Sequence, residues 1–556
     1  MPGLALYPLL SLFVAASFSL SCSKTARPGE GPSWRKPKAA ASDAPVQPDF
    51  LELGETATVF SSYNKPARSE APTSELGDVI LATIAEASQQ SGQETPVPDG
   101  RLYRALDELA EVTPLDSAVT YSLIEFALQR NGIIEPSPHM VIVRGDIDKP
   151  NEIAEQLRGQ MASILASGRF KRVGIGTDRR GTDGDLVLLA FQESHLQPKP
   201  IQRELPAAGS TVIEGTLSRE FSEPHVFQTD DGGAVTTLPV ASVGAHGFRV
   251  LFECKDKQGR QQVEITASDD SGSTVLANFP VWCDARAPRS IRVASSASDP
   301  PPKTREEAEE RMLGLLNADR AKQALPPLAL DPRLVQIARA HSEEMLNTGQ
   351  VAHVSPLTGS AADRVEKAEV RTSVVLENVG RAYGVGEAQI GLMNSPGHRA
   401  NILSSEVSHV GIGISLGEVV TGRPEILVTQ LFIRIPSKID VDKVRRQAIA
   451  KTKSVKAMTS NPDLQSIAQV FAQEIASGEK TAEASRRASQ SLDENGGNFS
   501  RVSTLVTTVS AIESFDPTGS LGGPGVGYFG IGIAQGSHPV MGDGSIFIVI
   551  LLGERG

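Results

Sequence analysis

Four of the nine histidines, His341, His353, His398 and His409, fall within residues 341 to 409, which makes this the stretch of the 556-residue chain where imidazole chemistry could occur. An imidazole near its ordinary pKa can accept a proton, donate one or bind a metal. His398 has the most directed setting. In LMNSPGHRANIL (392–403), Pro396 drives the residue before it out of helical backbone geometry, Gly397 frees the next peptide, and a stiff turn aims the histidine. The other histidines read differently. His341 lies on the apolar stripe of DPRLVQIARAHSEEMLNTG (331–349) with Leu334, Ile337, Ala338 and Met345, as a packed core histidine with Glu344 for a partner. His409 precedes a VGIG strand and has a similar local role.

The elements that must position these residues follow a plan that the chain repeats. Asp331 caps the 331–349 helix and Pro332 takes its first helical position; HVGIGISLG (409–417) and PEILVTQLFIR (424–434) then form a β-hairpin. NPDLQSIAQVFAQEIASG (461–478) is followed by YFGIGIAQG (528–536) and GDGSIFIVILLGER (542–555). DGRLYRALDELAEV (99–112) is followed by RVGIGTDRRG (172–181) and GDLVLLAF (184–191). The triple recurrence of D/N-x-x-L, GIG and a terminal β-run marks an internal repeat. Between the first two copies, residues 207–296 change to short β-rich runs separated by Gly, Asp and Pro, at the interval of a β-sandwich. SASDPPPK (296–303) reads as a linker.

Composition limits the function classes. Hydrophobic residues at 40% and charged residues at 22% are those of a globular protein, and the net charge of −12 repels a phosphate backbone, so no nucleic-acid partner is expected. Residues 1–22 hold an apolar run ending at Cys22, read as a lipoprotein-type signal with Cys22 as the lipidated residue. Residues 23–95 are read as a tether, largely disordered. A plainly secreted chain is the alternative. The other two cysteines, Cys254 and Cys283, form an even pair that an oxidising compartment would join in a disulfide, with two buried thiols as the other reading.

From 304 to 434 the motifs REEAEERMLGLLNADR, LPPLALDPRLVQIARAHSEEM, VAHVSPLTGSAADRV, LENVG, LMNSPGHRANIL, HVGIG and VTQLF occur in the order and at the separations seen in one family. The segment resembles the bacterial branch of the CAP superfamily, named for cysteine-rich secretory proteins, antigen 5 and pathogenesis-related proteins. The resemblance implies an α-β-α sandwich whose cleft is lined by two histidines and two acids. Carried over by residue, the histidines fall on His353 and His398, and one acid on Glu377. The fourth position falls on Ser395, where many eukaryotic members have an acid, and Leu392 stands where an aromatic is common.

The expected fold is α+β: a CAP domain over 303–436, a β-sandwich over 207–296, and two degenerate CAP-like modules over 96–196 and 440–556. Two imidazoles and a carboxylate are ligand types that hold Zn²⁺ or another divalent metal, so His353, Glu377 and His398 are the candidate metal set in a solvent-open cleft. A hydrogen-bonded cleft for an extracellular ligand (lipid, glycan, peptide or cell-wall fragment) needs the same residues. A hydrolase with Ser395 as nucleophile, His398 or His353 as base and Glu377 as orienting acid is the second reading. The last copy has no histidine between Asn461 and Gly536 and the first only His139 before its GIG, so the flanking modules keep the scaffold without the site. The expected place is the cell envelope, as an outer-membrane or surface lipoprotein.

Overall fold

The computed structural model describes residues 50–55, 60–64, 74–114, 118–166, 168–181, 184–295, 299–420, 423–435, 438–495, 499–523, 525–538 and 542–555. The expected signal segment, Cys22 and residues 296–298 of the expected linker lie outside them. No helix among the described residues is long and apolar enough to cross a membrane.

One sheet topology occurs three times. In the central segment the strand order is Ala329–Leu330, His409–Val420, Arg423–Ile433, Val375–Ala382, with the first pair parallel and the others antiparallel. The N-terminal segment orders Val97–Pro98, Phe170–Asp178, Asp185–Glu193 and His139–Gly145 in the same way. The C-terminal segment does so with Thr459–Ser460, Tyr528–His538, Gly542–Glu554 and Arg501–Val509. Because successive strand residues point to opposite faces, each sheet buries both. In the central one, Ile412, Ile414 and Val428 meet Met312 and Leu316 of helix Arg305–Lys322, while Leu431 and Ile433 meet Leu334 and Ala338 of helix Pro332–Thr348.

The GIG motif has a steric cause. A Cβ on Gly411 or Gly413 would collide with the backbone of Leu334 or Ala338, so the two glycines let the helix lie directly on the strand. Gly174 and Gly176 stand in the same relation to Leu102 and Leu106, and Gly530 and Gly532 to Leu464 and Ala468. The leucine of each D/N-x-x-L sits over the first glycine and the residue four further on sits over the second, which is one helical turn.

Residues 196–283 form two sheets, of four and five strands, around one core that includes Ile213, Phe248, Phe252, Val263, Ile265 and Phe279. Strands Leu196–Pro198 and Glu204–Leu205 already belong to them, earlier than the expected start at 207. Cys254, just past strand Gly247–Glu253 of one sheet, is bonded to Cys283 at the end of strand Gly272–Cys283 of the other, with Cα atoms 5.4 Å apart.

The tether expected over 23–95 is structured where it is described. Phe50–Leu53 pairs with Ile291–Ala294, and Ser62–Tyr63 with Ile201–Gln202. Glu75–Ser91 is a helix, capped by the Ser74 hydroxyl on the Gly77 N–H at 3.0 Å and ended by Gly92 at φ 66°. Its stripe of Leu76, Ile80, Ile84 and Ala87 is buried against the first sheet's layer. That stripe has helical period; the absence of aromatics conceals it. The first module therefore begins near 75 rather than 96, and each of the three sheets is preceded by such a helix, at Glu75–Ser91, Arg305–Lys322 and Val441–Val455.

Candidate functional site

Glu377 stands on strand Val375–Ala382 with its carboxylate buried. One oxygen lies 2.9 Å from Nδ1 of His353, and the other accepts from the guanidinium of Arg364 on helix Ala361–Lys367. Burial pushes the Glu377 pKa up, and the His353 hydrogen bond and the Arg364 charge outweigh it, leaving the group below its ordinary value. Arg364 also donates to the Gly359 carbonyl at 2.6 Å and so ties the 353–359 loop to the site. That loop is closed a second time where the Ser355 hydroxyl bonds Glu344.

His398 comes from the opposite side. Helix Val385–Asn394 ends at Ser395, helix Pro396–Ile402 begins there with Pro396 in its first turn, and the His398 ring is brought to 6.2 Å from that of His353, centroid to centroid. A buried amide network fixes this helix to the sheet. Asn378 donates to the His398 carbonyl at 3.2 Å and to Gln430 at 3.0 Å, and Asn401 donates to the Glu377 carbonyl at 3.0 Å and to Asn378 at 2.9 Å. Burial, then the neighbouring His353, pull the His398 pKa down to about 3, so its ring is neutral near neutrality.

His353, Glu377 and His398 are thus brought together, but Glu377 has both oxygens engaged. Among the described residues no three His, Cys, Asp or Glu side chains form a metal-holding group. The three-ligand Zn²⁺ set does not fit; the donors left over are the two imidazoles, with Glu377 holding His353 from behind as an outer partner.

Ser395 is drawn elsewhere. Its hydroxyl bonds Glu264, which reaches across from strand Gly259–Asp269 of the β-sandwich and also accepts from the Gly397 N–H at 2.8 Å. The contact from Ser395 to an imidazole that a hydrolase needs is not formed among the described residues. Glu264 is fully buried, and burial, only partly offset by these two hydrogen bonds, pushes its pKa up to about 7.

The sandwich packs against the rim of the expected solvent-open cleft, and the His353 side chain keeps 25% of its surface exposed. Val354 N–H donates to the Ser271 carbonyl at 2.9 Å, Asn278 donates to the Asn394 carbonyl at 3.1 Å, and Arg399 donates to the Gly233 carbonyl at 3.2 Å. Ser395 and His398 line a partly open chamber beside it. His341 is buried as expected, but its Nε2 is 2.9 Å from the Ala352 carbonyl, whereas Glu344 is 3.9 Å from Nδ1. His409 pairs with the adjacent Ser408 at 2.9 Å.

Two site residues escaped the sequence reading. Arg364 sits in SAADRV with no pattern to mark it. Glu264 lies 131 positions before Ser395, and its one signal is a carboxylate between Val263 and Ile265 in a strand buried on both faces.

A family model of the cysteine-rich secretory protein family, CAP, matches residues 313–432. Over 211 residues the chain is 32% identical to YkwD, an uncharacterized protein of Bacillus subtilis (strain 168), covering 37% of this chain and 79% of that protein. It is 36% identical over 108 residues to YlbC, an uncharacterized membrane protein of the same bacterium, covering 19% of this chain and 31% of YlbC's length. A solved structure of an extracellular protein containing a SCP domain from Bacillus anthracis str. Ames is 19% identical, with 40% of this chain and 77% of that chain covered and a TM-score of 0.21.

Proposed function

Because the chain belongs to the cysteine-rich secretory protein (CAP) family, we propose that it is an exported protein of the cell envelope whose CAP domain binds a ligand between His353 and His398. The observation that carries this reading is the pair of imidazoles 6.2 Å apart, one held by the buried Glu377 and Arg364, the other by the amide network on Asn378. Such a site is preorganised, so binding costs little ordering. Export is supported by the Cys254–Cys283 bond, of a kind that persists in oxidising compartments. The N-terminal and C-terminal modules, with the same strand order, are degenerate CAP scaffolds that flank the site. Cys22 is the lipid attachment point; labelled palmitate should enter the wild type and not Cys22→Ala, and equal labelling would remove the anchor.

The binding reading is tested by calorimetry with Zn²⁺ on the wild type, His353→Ala and His398→Ala. A single site present only in the wild type supports a metal on the two imidazoles; heat unchanged in both variants removes it. A fluorophosphonate run beside these should leave Ser395 unlabelled, because its hydroxyl is held by Glu264. Labelling that disappears in Ser395→Ala would replace binding by hydrolysis.

A further inference from the structure

The first two modules face one another through corresponding strands. The fourth strand of each sheet, His139–Gly145 and Val375–Ala382, looks onto the same chamber, walled by Met140 and Ile142 on one side and by Val379 and Arg381 on the other. In the CAP domain helix Pro396–Ile402 also lies along this strand, and its Asn401 donates to the Glu377 carbonyl. Three modules leave one such strand without a counterpart. In the third, Arg501–Val509 is the edge of the sheet. Among the described residues its backbone pairs with Gly542–Glu554 alone, over nine consecutive residues with no break in register.

An open edge presents a row of unpaired N–H and C=O groups to any strand that approaches, and proteins blunt it with a charge, a proline or a bulge. RVSTLVTTV has none of these past Arg501. Its Val and Thr residues favour extended backbone, and Thr504 is exposed with half-buried neighbours on either side.

The strand also matches itself. Antiparallel neighbours in one sheet put opposite residues on the same face, so a twofold axis normal to the sheet must lie at the level of a residue, not between two. Leu505 is the middle residue of the nine. With the axis there the whole strand pairs: Leu505 faces its own copy, Thr504 faces Val506, Ser503 faces Thr507, Val502 faces Thr508 and Arg501 faces Val509. No like charges meet, since the two Arg501 residues stand at opposite ends, roughly 26 Å apart at the rise of a strand. Leu505 packs with the apolar layer of Ile548 and Ile550, and Val502 and Val506 with that of Val549 and Leu551, so both layers continue across the axis.

We propose that the edge strand Arg501–Val509 is a self-association surface, joining the C-terminal modules of two copies of this chain, antiparallel, into one continuous sheet. This goes beyond the reading of the CAP domain and does not depend on what that domain binds. The assembly closes as a dimer, because the pairing covers the edge that forms it.

Sedimentation velocity of the full chain carrying Cys22→Ala, across a hundredfold range of concentration, should show monomer passing to dimer and nothing larger. In the proposed register the two Thr504 side chains are diagonal neighbours on one face, within reach of long substituents. Thr504→Lys and Thr504→Glu should therefore each weaken association at least tenfold, and an equimolar mixture of the two should recover it. Because Thr504 is exposed, the circular dichroism spectrum and the thermal midpoint of each variant, measured at the dilute end, should stay as in the wild type. A monomer at every concentration would overturn the surface, whether its edge is then free or taken by another segment of the same chain. Assembly beyond a dimer, or association that neither variant weakens, would overturn it too. Weakening in both variants without recovery in the mixture would remove the twofold at Leu505.

Discussion

Glu377 serves two partners at once, and its energetics follow from that. Its carboxylate is buried between His353 and Arg364, and the Arg364 side chain is itself almost wholly buried. Removing one member of such a pair leaves the other charged without compensation, typically at ~3–5 kcal/mol. Glu377→Ala and Arg364→Ala should each lower the stability of the CAP domain by that amount. His353→Ala should cost below ~2 kcal/mol, because its side chain is 25% exposed and Glu377 keeps the guanidinium. Calorimetric unfolding of the three variants checks this; equal losses in all three would show that the ion pair does not hold the site. The two histidines and Glu377 were legible because the family resemblance fixes their order along the chain. Arg364 and Glu264 were not, since each acts through a contact made in space, the latter from a different module.

At the scale of elements the repeated helix and hairpin were legible for a physical reason. Two glycines two residues apart on a strand, and a leucine three residues after a helix cap, are both demanded by a helix lying directly on a sheet. Gly413→Ala and Gly532→Ala should each destabilise their module by ~1–3 kcal/mol or more, because the new methyl meets helix backbone rather than a movable side chain. Gly314→Ala, in the interior of helix Arg305–Lys322 with nothing near its added carbon, should instead stabilise by ~1 kcal/mol. Thermal midpoints of the single variants decide; a neutral Gly413→Ala would mean that the helix does not approach so closely. What remained illegible was the helix at 75–91 and the position of the sandwich at the rim of the cleft. Sequence periodicity reports which face of an element is buried but not what covers it.

Three buried carboxyls stand in or near the junctions between modules. Glu264, between the sandwich and the CAP domain, is pushed up to about 7 by burial, and so are Glu125 of the first module and Glu387 of the CAP domain. Their ordinary value is near 4.5, so between ~4.5 and ~7 the native state holds protons that the unfolded chain has lost, and the stability associated with these groups falls as pH rises through that window. His398 and His139 act in the opposite sense. With pKa values pulled down to about 3 and about 4, their contribution is complete above the ordinary value of 6.5 and is lost as pH falls. The two groups oppose each other from ~4.5 to ~6.5, which flattens the total profile and hides any single residue. Glu264→Gln separates one of them, because an amide can still accept from Gly397 and donate to Ser395 but cannot ionise. The stability of this variant relative to the wild type should be near zero at pH 4.5 and rise to roughly 3 kcal/mol in its favour at pH 8, the equivalent of a shift of about 2.5 pH units. Chemical denaturation across that range measures the difference. A constant offset would show that Glu264 is not titrating inside the junction; a growing one would mean that the contact beside the histidine pair weakens toward alkaline pH in the wild type.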